Sequence, residues 1–476
     1  MTTNKGYVAF VGAGPGDIGL ITQKGLECLS KADVVFYDRL ANPRLLRYTN
    51  NDCEFVYCGK LPNNHTMRQE KINESLIYYA LKGKYVVRLK GGDPSVFGRV
   101  GEEAEALAKQ EIPFEMVPGI TASIAASAYA GIPVTHREYS TSFTIRTGHI
   151  CEKNHNLMYD GKIDEIGDTI AYYMGVKRLG SICKALIEKG KSKETNVAVI
   201  QWGTLGKQNI VEGTLATIVS LVKKENITNP ALTIVGDVVK LRSSIAWFEK
   251  LPFYQKRIII AKSSASESKL EKYFSQNGAE AFAFPALKKV DRPFAFAEIE
   301  AIKGRERLIF LAPESAELFF AQFYQHGYDV RDFPKQMEYI SEKTKKALAE
   351  KGIRGQKAVF KAKAACIIGP AGNRDANNYA PENIFIISHD LKIDFRFDEM
   401  NRRLLSEDQW ETVVFPNKSS VDYFLKEWTR LSKDDPATLM FAYIGKSVKE
   451  YAMEKGFRLI DEQVQHALET NDWKVE

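Results

Sequence analysis

Residues 7–17 read YVAFVGAGPGD, an apolar run that leads directly into three glycines at alternate positions. A helical stretch follows, and a second apolar run at 32–38, ADVVFYD, ends in an acidic residue. Strand, glycine loop, helix, strand and acid in this order are the outline of a dinucleotide-binding unit in a parallel sheet. The stretch therefore predicts an α/β fold and raises the question of which ligand the glycines admit.

The glycine loop departs from the dinucleotide fingerprint at two points. The pattern G-x-G-x-x-G, counted from Gly12, requires a glycine where the chain has Asp17. Pro15 also removes a backbone N–H that could have donated to a pyrophosphate, and the Asp17 carboxylate would repel one. The loop therefore disfavours a dinucleotide and indicates a ligand without a diphosphate.

The composition is that of an ordinary globular protein of 476 residues, with 44% hydrophobic residues and a net charge of +6. So small an excess of positive charge does not predict nucleic-acid binding. The start, MTTNKGYVAF, lacks the pattern of a signal peptide, and no apolar run reaches the roughly 18 residues that cross a bilayer. The six cysteines form no CxxC pair. We expect a cytoplasmic protein with reduced thiols, no metal, no membrane contact and no nucleic-acid partner.

The chain divides into two halves near a segment rich in aromatic residues, IAWFEKLPFYQ, after which a fresh strand, RIIIA, begins. Strands and helices alternate before residue 117, and longer strands dominate after residue 140. We predict a first domain of two lobes, at 1–117 and 118–244. A linker at 245–255 leads to a second domain at 256–476.

The second half contains an internal repeat. YISEKTKKALAEKG at 339–352 matches YIGKSVKEYAMEKG at 443–456, and the segment 309–320 matches 413–424 at the same offset of 104 residues. Each copy reads as a strand, a helix, a second strand and a second helix. The repeat therefore predicts two similar α/β lobes, which could hold a ligand between them or pack as a duplicated scaffold.

Two further stretches of the first half could carry chemistry. In VVRLKGGDPSVFGRVGEEAEAL, at 86–107, Gly91-Gly92-Asp93 ends a predicted strand, where α/β proteins place their ligands. A plain β-turn explains this string equally well. In MVPGITASIAASAYAGIPVTHRE, at 116–138, Thr121 and Ala122 open a predicted helix whose first N–H groups lack partners.

Together these stretches resemble the tetrapyrrole methylase family, and within it the enzymes that methylate uroporphyrinogen III at C2 and C7 to precorrin-2. The resemblance covers residues 7–242 and rests on about ten strings in order, among them VGAGPGD, ADVVFYDRL, VVRLKGGDP, VPGITA, AYAGIPVTHR, YYMG, QWGT and PALTIVG. It implies an α/β fold of two lobes, a homodimer, and action on a small tetrapyrrole. A member of the family that acts on a later corrinoid precursor is the alternative.

The resemblance also implies the methyl donor S-adenosylmethionine, with S-adenosylhomocysteine as product. This donor carries a sulfonium and an ammonium but no phosphate, which agrees with Pro15 and the acids around the glycine loop. The matched positions that would line the donor site are Pro15, Gly91, Gly92, Asp93, Val96, Thr121, Ala122, Met174 and Gly203.

The resemblance assigns proton transfer to Asp38 as acceptor and Lys60 as donor, with Arg99 and Glu102 as rival candidates. Arg39 and Arg137 fall in matched strings and would bind substrate carboxylates, as guanidinium groups suit them. The alternative for each of the four proton-transfer candidates is a surface ion pair. Two departures from the family, Ile18 for a turn proline and Val100 for a glycine, affect loop geometry rather than functional groups.

The second half resembles the uroporphyrinogen-III synthase family more weakly, over roughly 256–476. This implies a bilobal α/β synthase-like domain that follows the two-lobed methylase fold. Several family hydroxyls are absent, at positions that read Ala312-Pro313, Pro416-Asn417, Ser447-Val448 and Phe395. Synthesis of uroporphyrinogen III from hydroxymethylbilane and a non-catalytic binding or channelling role therefore remain alternatives.

Overall fold

A computed structural model describes residues 5–59, 68–148, 167–358, 364–374, 380–470 and 473. The first sheet is entirely parallel and has the strand order β3-β2-β4-β1-β5. Its elements are β1 (Tyr7–Gly12), α1 (Gln23–Lys31), β2 (Val34–Tyr37), β3 (Glu54–Tyr57), α2 (Gln69–Leu81), β4 (Tyr85–Lys90), α3 (Val100–Ala108) and β5 (Phe114–Val117).

The apolar runs of the sequence form the centre of this sheet. Val8 to Val11 of β1 and all four residues of β2 are buried, as expected for strands covered by helices on both faces. Thr22 caps α1 by accepting a hydrogen bond from the N–H of Gly25. Because the strands are parallel, their carboxyl ends and the loops that follow them meet at one edge.

The second sheet is mixed, with the order β6-β7-β10-β8-β9, in which β6 and β7 are parallel and the other pairs antiparallel. Its elements are α4 (Ala122–Tyr129), β6 (Phe143–Thr147), β7 (Thr169–Tyr173), α5 (Leu179–Glu188), β8 (Asn196–Gln201), β9 (Asn209–Thr214), α6 (Ile218–Lys224), β10 (Ala231–Val235) and α7 (Arg242–Ile245). The first half thus consists of two α/β lobes.

The second half contains two more sheets. The third sheet is parallel with the order β12-β11-β19-β20, and the fourth is mixed with the order β13-β18-β17-β14-β15-β16. From its start to the last strand of the fourth sheet, the elements of this half are β11 (Arg257–Ala261), α8 (Lys269–Gln276), β12 (Glu280–Phe284), β13 (Leu287–Asp291), α9 (Phe296–Lys303), β14 (Arg307–Phe310), α10 (Pro313–Gln325), β15 (Gln336–Tyr339), α11 (Glu342–Glu350), β16 (Gln356–Lys357), β17 (Ala365–Pro370) and β18 (Ile384–Ile393).

The chain then returns to the third sheet, so the lobe of the fourth sheet is an insertion between β12 and β19. The returning elements are α12 (Asp398–Glu407), β19 (Thr412–Phe415), α13 (Lys418–Leu431), β20 (Met440–Tyr443), α14 (Lys446–Glu454) and α15 (Glu462–Thr470). The α/β class and the bilobal second half are confirmed. The exact domain boundaries and the linker stay predictions.

The internal repeat is confirmed, but half of its alignment is shifted by one residue. The second strands and helices, β15-α11 and β20-α14, correspond at an offset of 104 residues, as predicted. The first strands and helices, β14-α10 and β19-α13, correspond at 105, so Ser315 matches the buried Ser420 rather than Ser419. The connection from α13 to β20 is shorter than that from α10 to β15, and an ungapped comparison of the sequence does not reveal this.

One hydrophobic cluster extends across both halves of the chain. It contains Tyr37 and Leu45 of the first half together with Phe284 and Phe397 of the second. The ring of Phe55 in β3 lies 5.2 Å from that of Phe397, which precedes α12. The first and third sheets are therefore joined by core packing, in which α12 takes part through Met400 and Leu405.

None of the described helices is long and apolar enough to span a membrane. The described cysteines are free and buried, at positions 28, 53, 58, 183 and 366. Over the same residues, no group of three or more histidine, cysteine, aspartate or glutamate side chains is arranged to hold a metal ion.

Candidate active site

Three glycine-containing segments meet at the carboxyl edge of the first sheet. Gly14 and Gly92 pair through two backbone hydrogen bonds of 3.2 and 2.7 Å. A Cβ at Gly12 would lie 2.5 Å from the nitrogen of Gly119, and one at Gly119 would lie 2.4 Å from the oxygen of Gly92. No side chain fits in such contacts, so these glycines allow the backbones after β1, β4 and β5 to touch.

Asp93 fastens two of these segments together. One carboxylate oxygen accepts a hydrogen bond from the N–H of Ser95 at 2.7 Å, and the other accepts one from the N–H of Gly119 at 3.0 Å. Both interactions are with backbone, so the carboxylate shapes the turn and ties it to the loop before α4. The string Gly91-Gly92-Asp93 is therefore fastened to the loop before α4 and is more than an isolated β-turn.

A gap wide enough for a Cβ remains between Gly92 and the start of α4. Gly92 has φ of +68°, and a Cβ there would approach its nearest neighbours, Thr121 Cα and the nitrogen of Ala122, only at 3.8 Å. A Cβ there would make ordinary van der Waals contact with the backbone at the start of α4. The predicted donor-site residues Gly91, Gly92, Thr121 and Ala122 are brought together here.

The second lobe reaches this gap through Tyr173, at the end of β7. Its hydroxyl accepts a hydrogen bond from the N–H of Ser123 at 2.7 Å and lies 2.5 Å from Thr121 Oγ1. The ring of Phe97 lies 5.2 Å from the Tyr173 ring, and Met174 is 47% exposed with φ of +55°. Sequence reasoning identified Met174 but missed Tyr173 and Phe97. Aromatic residues in matched or adjacent strings were the available signal.

The loop after β1 contacts the loop after β8. The N–H of Asp17 donates to Thr204 Oγ1 at 3.0 Å, and the Tyr129 hydroxyl donates to Asp17 Oδ2 at 2.6 Å. A Cβ at Gly203 would lie 2.4 Å from the Ala126 Cβ, so this glycine permits β8 to approach α4. The remaining donor-site candidates, Pro15 and Val96, are half-buried beside these loops.

A charged network lies under Asp38, at the end of β2. The Arg88 guanidinium donates a 2.7 Å hydrogen bond to Asp38 Oδ1, and Lys90 Nζ lies 3.9 Å from Asp38 Oδ2. Glu103 Oε1 accepts hydrogen bonds from Lys90 at 2.9 Å, Gln69 at 2.9 Å and Arg88 at 3.3 Å. Arg88 and Lys90 thus lie between the fully buried carboxylate of Glu103 and that of Asp38, which is about one-third exposed.

Burial and the neighbouring carboxylates shift the pKa values of Arg88 and Lys90 in opposite directions. Burial disfavours the Arg88 cation, but Asp38 and Glu103 outweigh it and raise the pKa of the guanidinium. For Lys90, burial and the neighbouring Arg88 cation prevail, so the pKa of its ammonium is lowered. Burial also raises the pKa of the adjacent Cys58 thiol to about 11, which keeps the thiol neutral. Asp38 is therefore held by an arginine that stays charged.

Sequence reasoning missed Arg88, Lys90 and Glu103. Arg88 and Lys90 occupy alternate positions of the apolar strand VVRLK, so they share one face, and charges inside a buried strand require partners. That signal was present in the sequence. Only the fold, however, places Glu103 of α3 against this face.

Among the described residues, Arg39, Arg99, Glu102 and Arg137 form no hydrogen bond or ion pair with Asp38, Arg88, Lys90 or Glu103. Arg99 and Glu102 form an ion pair with both side chains more than half exposed. Arg39 is exposed, and its Nε lies 3.9 Å from Glu407 Oε1 of α12. Arg137 is exposed, and Lys60 lies outside the described residues. The roles of these residues stay predictions.

The departures noted in the second half lie at helix starts. Ala312 precedes α10, and Gly445 precedes α14. Asn417 caps α13 by accepting from the N–H of Ser420 at 3.0 Å, and it donates to Ser263 Oγ at 2.8 Å. Phe395 is 65% exposed, and the Arg430 guanidinium lies 5.1 Å from its ring centre.

Comparison with known proteins gives concordant matches. Residues 7–219 match the family of tetrapyrrole (corrin/porphyrin) methylases. A uroporphyrinogen-III C-methyltransferase of Bacillus subtilis is 41% identical over 434 residues, which cover 89% of this chain and 88% of the relative. One of Priestia megaterium is 56% identical over 234 residues, covering 49% of this chain and 98% of the relative. A crystal structure of a Thermus thermophilus uroporphyrin-III C-methyltransferase with S-adenosylhomocysteine is 35% identical. It covers 50% of this chain and 100% of its own, with a TM-score of 0.42.

Proposed function

Because the chain belongs to the tetrapyrrole methylase family, we propose that it methylates uroporphyrinogen III at C2 and C7, giving precorrin-2. The methyl donor is S-adenosylmethionine, and S-adenosylhomocysteine is the second product. The names of the relatives that match nearly their whole length support this substrate. The product lies on routes to sirohaem, haem and cobalamin.

The observation that carries the proposal is the position of Asp38. It ends β2 beside the glycine-lined edge, since Leu40 Cβ would lie 2.9 Å from a Cβ at Gly91. Methylation of a pyrrole carbon leaves a proton to be removed, which requires a positioned base. The Arg88 guanidinium fixes one oxygen of Asp38, and the exposed part of the carboxylate remains available to take that proton.

The residues at the glycine edge fit a donor that carries a sulfonium and an adenine but no phosphate. The gap at Gly92 is lined by backbone of Thr121 and Ala122, and Met174 and Phe97 expose apolar surface beside it. When bound, the donor supplies the methyl group. The chain supplies orientation, since an in-line transfer gains chiefly from holding the two partners at the reacting distance.

The acceptor bears carboxylates around its ring, and Arg39 and Arg137 are exposed guanidinium groups that suit them. We assign them to substrate binding, and we keep Arg99 and Glu102 as the rival candidates for proton transfer. Lys60 remains the proposed proton donor. A homodimer and a cytoplasmic location complete the proposal for the methylase half.

For the second half we propose a domain that binds the tetrapyrrole, as a synthase that closes hydroxymethylbilane or as a holding module. Its two repeated lobes support the likeness to the synthase family. The missing hydroxyls at Ala312, Pro416, Val448 and Phe395 favour the holding role. The two roles differ in whether the domain forms any new bond.

The test uses the full chain. Incubated with uroporphyrinogen III and S-adenosylmethionine, it is expected to form a product with two added methyl groups, detected by mass spectrometry. Absence of methylated product contradicts the proposal, and methylation of a later corrinoid precursor alone favours the alternative substrate. With hydroxymethylbilane instead, type III product identifies a synthase, whereas type I product alone means that the domain has no synthase activity.

A further inference from the structure

A cavity of about 760 Å³ lies where the two halves of the chain meet. The first half contributes the loop that begins at Asp17, the segment 44–51 and the loop 204–206. The second half contributes α8, the loop before it, and the two crossings between its lobes, at 286–291 and 394–397. The volume is in the range of sites that hold small molecules.

Most of the carboxylates that line this cavity already have partners. Glu271 is paired with Arg47 and Arg44, and Asp394 is held by Arg396. Asp291 lies 3.1 Å from Lys289, and Glu280 accepts a hydrogen bond from the N–H of Gly206 at 3.0 Å. Asp17 is held by Tyr129 and by the N–H of Gly19. Glu267 is the lining carboxylate to which the described residues give no such partner.

Several of the lysines that line the cavity, in contrast, have no such partner. Lys262, Lys272 and Lys288 line the cavity, and among the described residues none of the three forms an ion pair or a side-chain hydrogen bond. Lys262 is half-buried, and its partial burial together with the Arg47 cation disfavours the ammonium, so its pKa falls to about 8. The lining therefore has more unpaired positive than negative charge, spread around its wall.

We infer that this cavity binds a molecule that carries several carboxylates, of the size of a tetrapyrrole, at the junction between the two halves. The inference rests on the proposed function only for the identity of that molecule. Spread lysines suit a ligand with several separated carboxylates, because each ammonium can meet one of them. A single small anion would leave most of them unpaired.

The cavity shares its walls with the proposed donor site. Asp17 and Thr204, which are joined by a 3.0 Å hydrogen bond, both line the cavity. They directly follow the loop of Pro15 and the position of Gly203, which were assigned to the donor site. A ligand in the cavity would therefore contact the back of the loops that shape the donor site.

The experiment uses the full chain and uroporphyrin III, a stable porphyrin with the same set of carboxylates. Hydrogen–deuterium exchange with and without the porphyrin is expected to show protection of residues 262–276 and 44–51. In the double variant Lys262→Gln/Lys272→Gln this protection is expected to require about tenfold more porphyrin, because two ammonium partners are removed. Lys269→Gln, on the same helix but outside the cavity lining, is the matched control.

Three results would overturn the inference: no protection of these segments, protection that the double variant leaves unchanged, or equal protection by inorganic phosphate alone. A second double variant, Lys272→Gln/Lys288→Gln, repeats the test without altering the half-buried Lys262. Methylation of uroporphyrinogen III by the unaltered chain is measured separately. Its absence contradicts the proposed function, whereas porphyrin binding in the cavity is read independently of turnover.

Discussion

Arg47 of the first half donates two hydrogen bonds, of 2.9 and 2.8 Å, to the two carboxylate oxygens of Glu271 in α8. The same carboxylate accepts a 2.9 Å hydrogen bond from the N–H of Ala283 and lies 3.7 Å from Arg44. Burial favours the neutral acid, but the Arg47 and Arg44 cations prevail and lower the pKa of Glu271. This partly buried pair joins the methylase half to the first lobe of the second half.

Replacement of Glu271 by glutamine is therefore expected to destabilise the whole chain. Arg47 and Arg44 would lose their buried counter-charge, which costs about 3 kcal/mol. The measurement is the urea midpoint of unfolding. Glu267→Gln, an exposed neighbour in the loop before α8, is the matched control. Equal midpoints for the two variants would contradict the role of the pair.

Asp38→Asn is expected to lower kcat/KM for methylation about 100- to 10,000-fold, because an amide cannot take the proton released from the pyrrole carbon. The hydrogen bond from Arg88 can persist to the amide oxygen, so the fold should be retained. Rates of product formation and a thermal melt are compared with those of Asp52→Asn, an exposed aspartate of the same lobe. A rate that matches this control would exclude Asp38 as the base.

Glu103→Gln and Glu102→Gln compare the contributions to stability of a buried acid and of its exposed neighbour in the sequence. Glu103 is fully buried against Arg88 and Lys90, and its loss is expected to cost about 3–5 kcal/mol of stability. Glu102 belongs to an exposed pair with Arg99, so its loss should cost less than about 1 kcal/mol. Denaturant midpoints of the two variants decide the matter, and similar values would contradict the network under Asp38.

Lys262 gives the chain a pH dependence with a defined sign. Its pKa is about 8 when folded and 10.5 when unfolded, so between these values the unfolded chain binds more protons. The free energy of unfolding of the unaltered chain, relative to that of Lys262→Met, therefore rises from pH 8 to pH 10 by about 2 kcal/mol. Urea titrations of both proteins at each pH measure it, with the exposed Lys272→Met as a control. A difference that stays constant or falls with pH would contradict the lowered pKa of Lys262.

The sequence alone predicts much of the fold because its signals are local. The apolar runs ending at Gly12, Tyr37 and Lys90 form the parallel strands that they indicate. The glycine pairs mark real backbone contacts, as at Gly12 and Gly119. These features depend on residues that are near in sequence or on steric demands that a single residue reveals.

The remaining features depend on distant residues. Nothing near Arg88 in the sequence indicates that Glu103 of another element will neutralise it. The same holds for Tyr173, which caps the start of α4 from the second lobe, and for Glu271, which pairs with Arg47 more than 200 positions earlier. The spacing of residues along the chain does not predict these contacts, because they arise only when the helices and strands pack against one another.

The insertion of one lobe into the other has a consequence for how the protein is made. Strand β11 ends at Ala261, but its neighbour β19 begins only at Thr412, after the inserted lobe. At 5–20 residues per second, the ribosome needs roughly 10 to 30 seconds to supply that strand. Through this interval the methylase half, already synthesised, still lacks Phe397 and its neighbours of the shared cluster. The nascent chain, rather than the finished enzyme, is therefore the state in which this surface is open to misassembly.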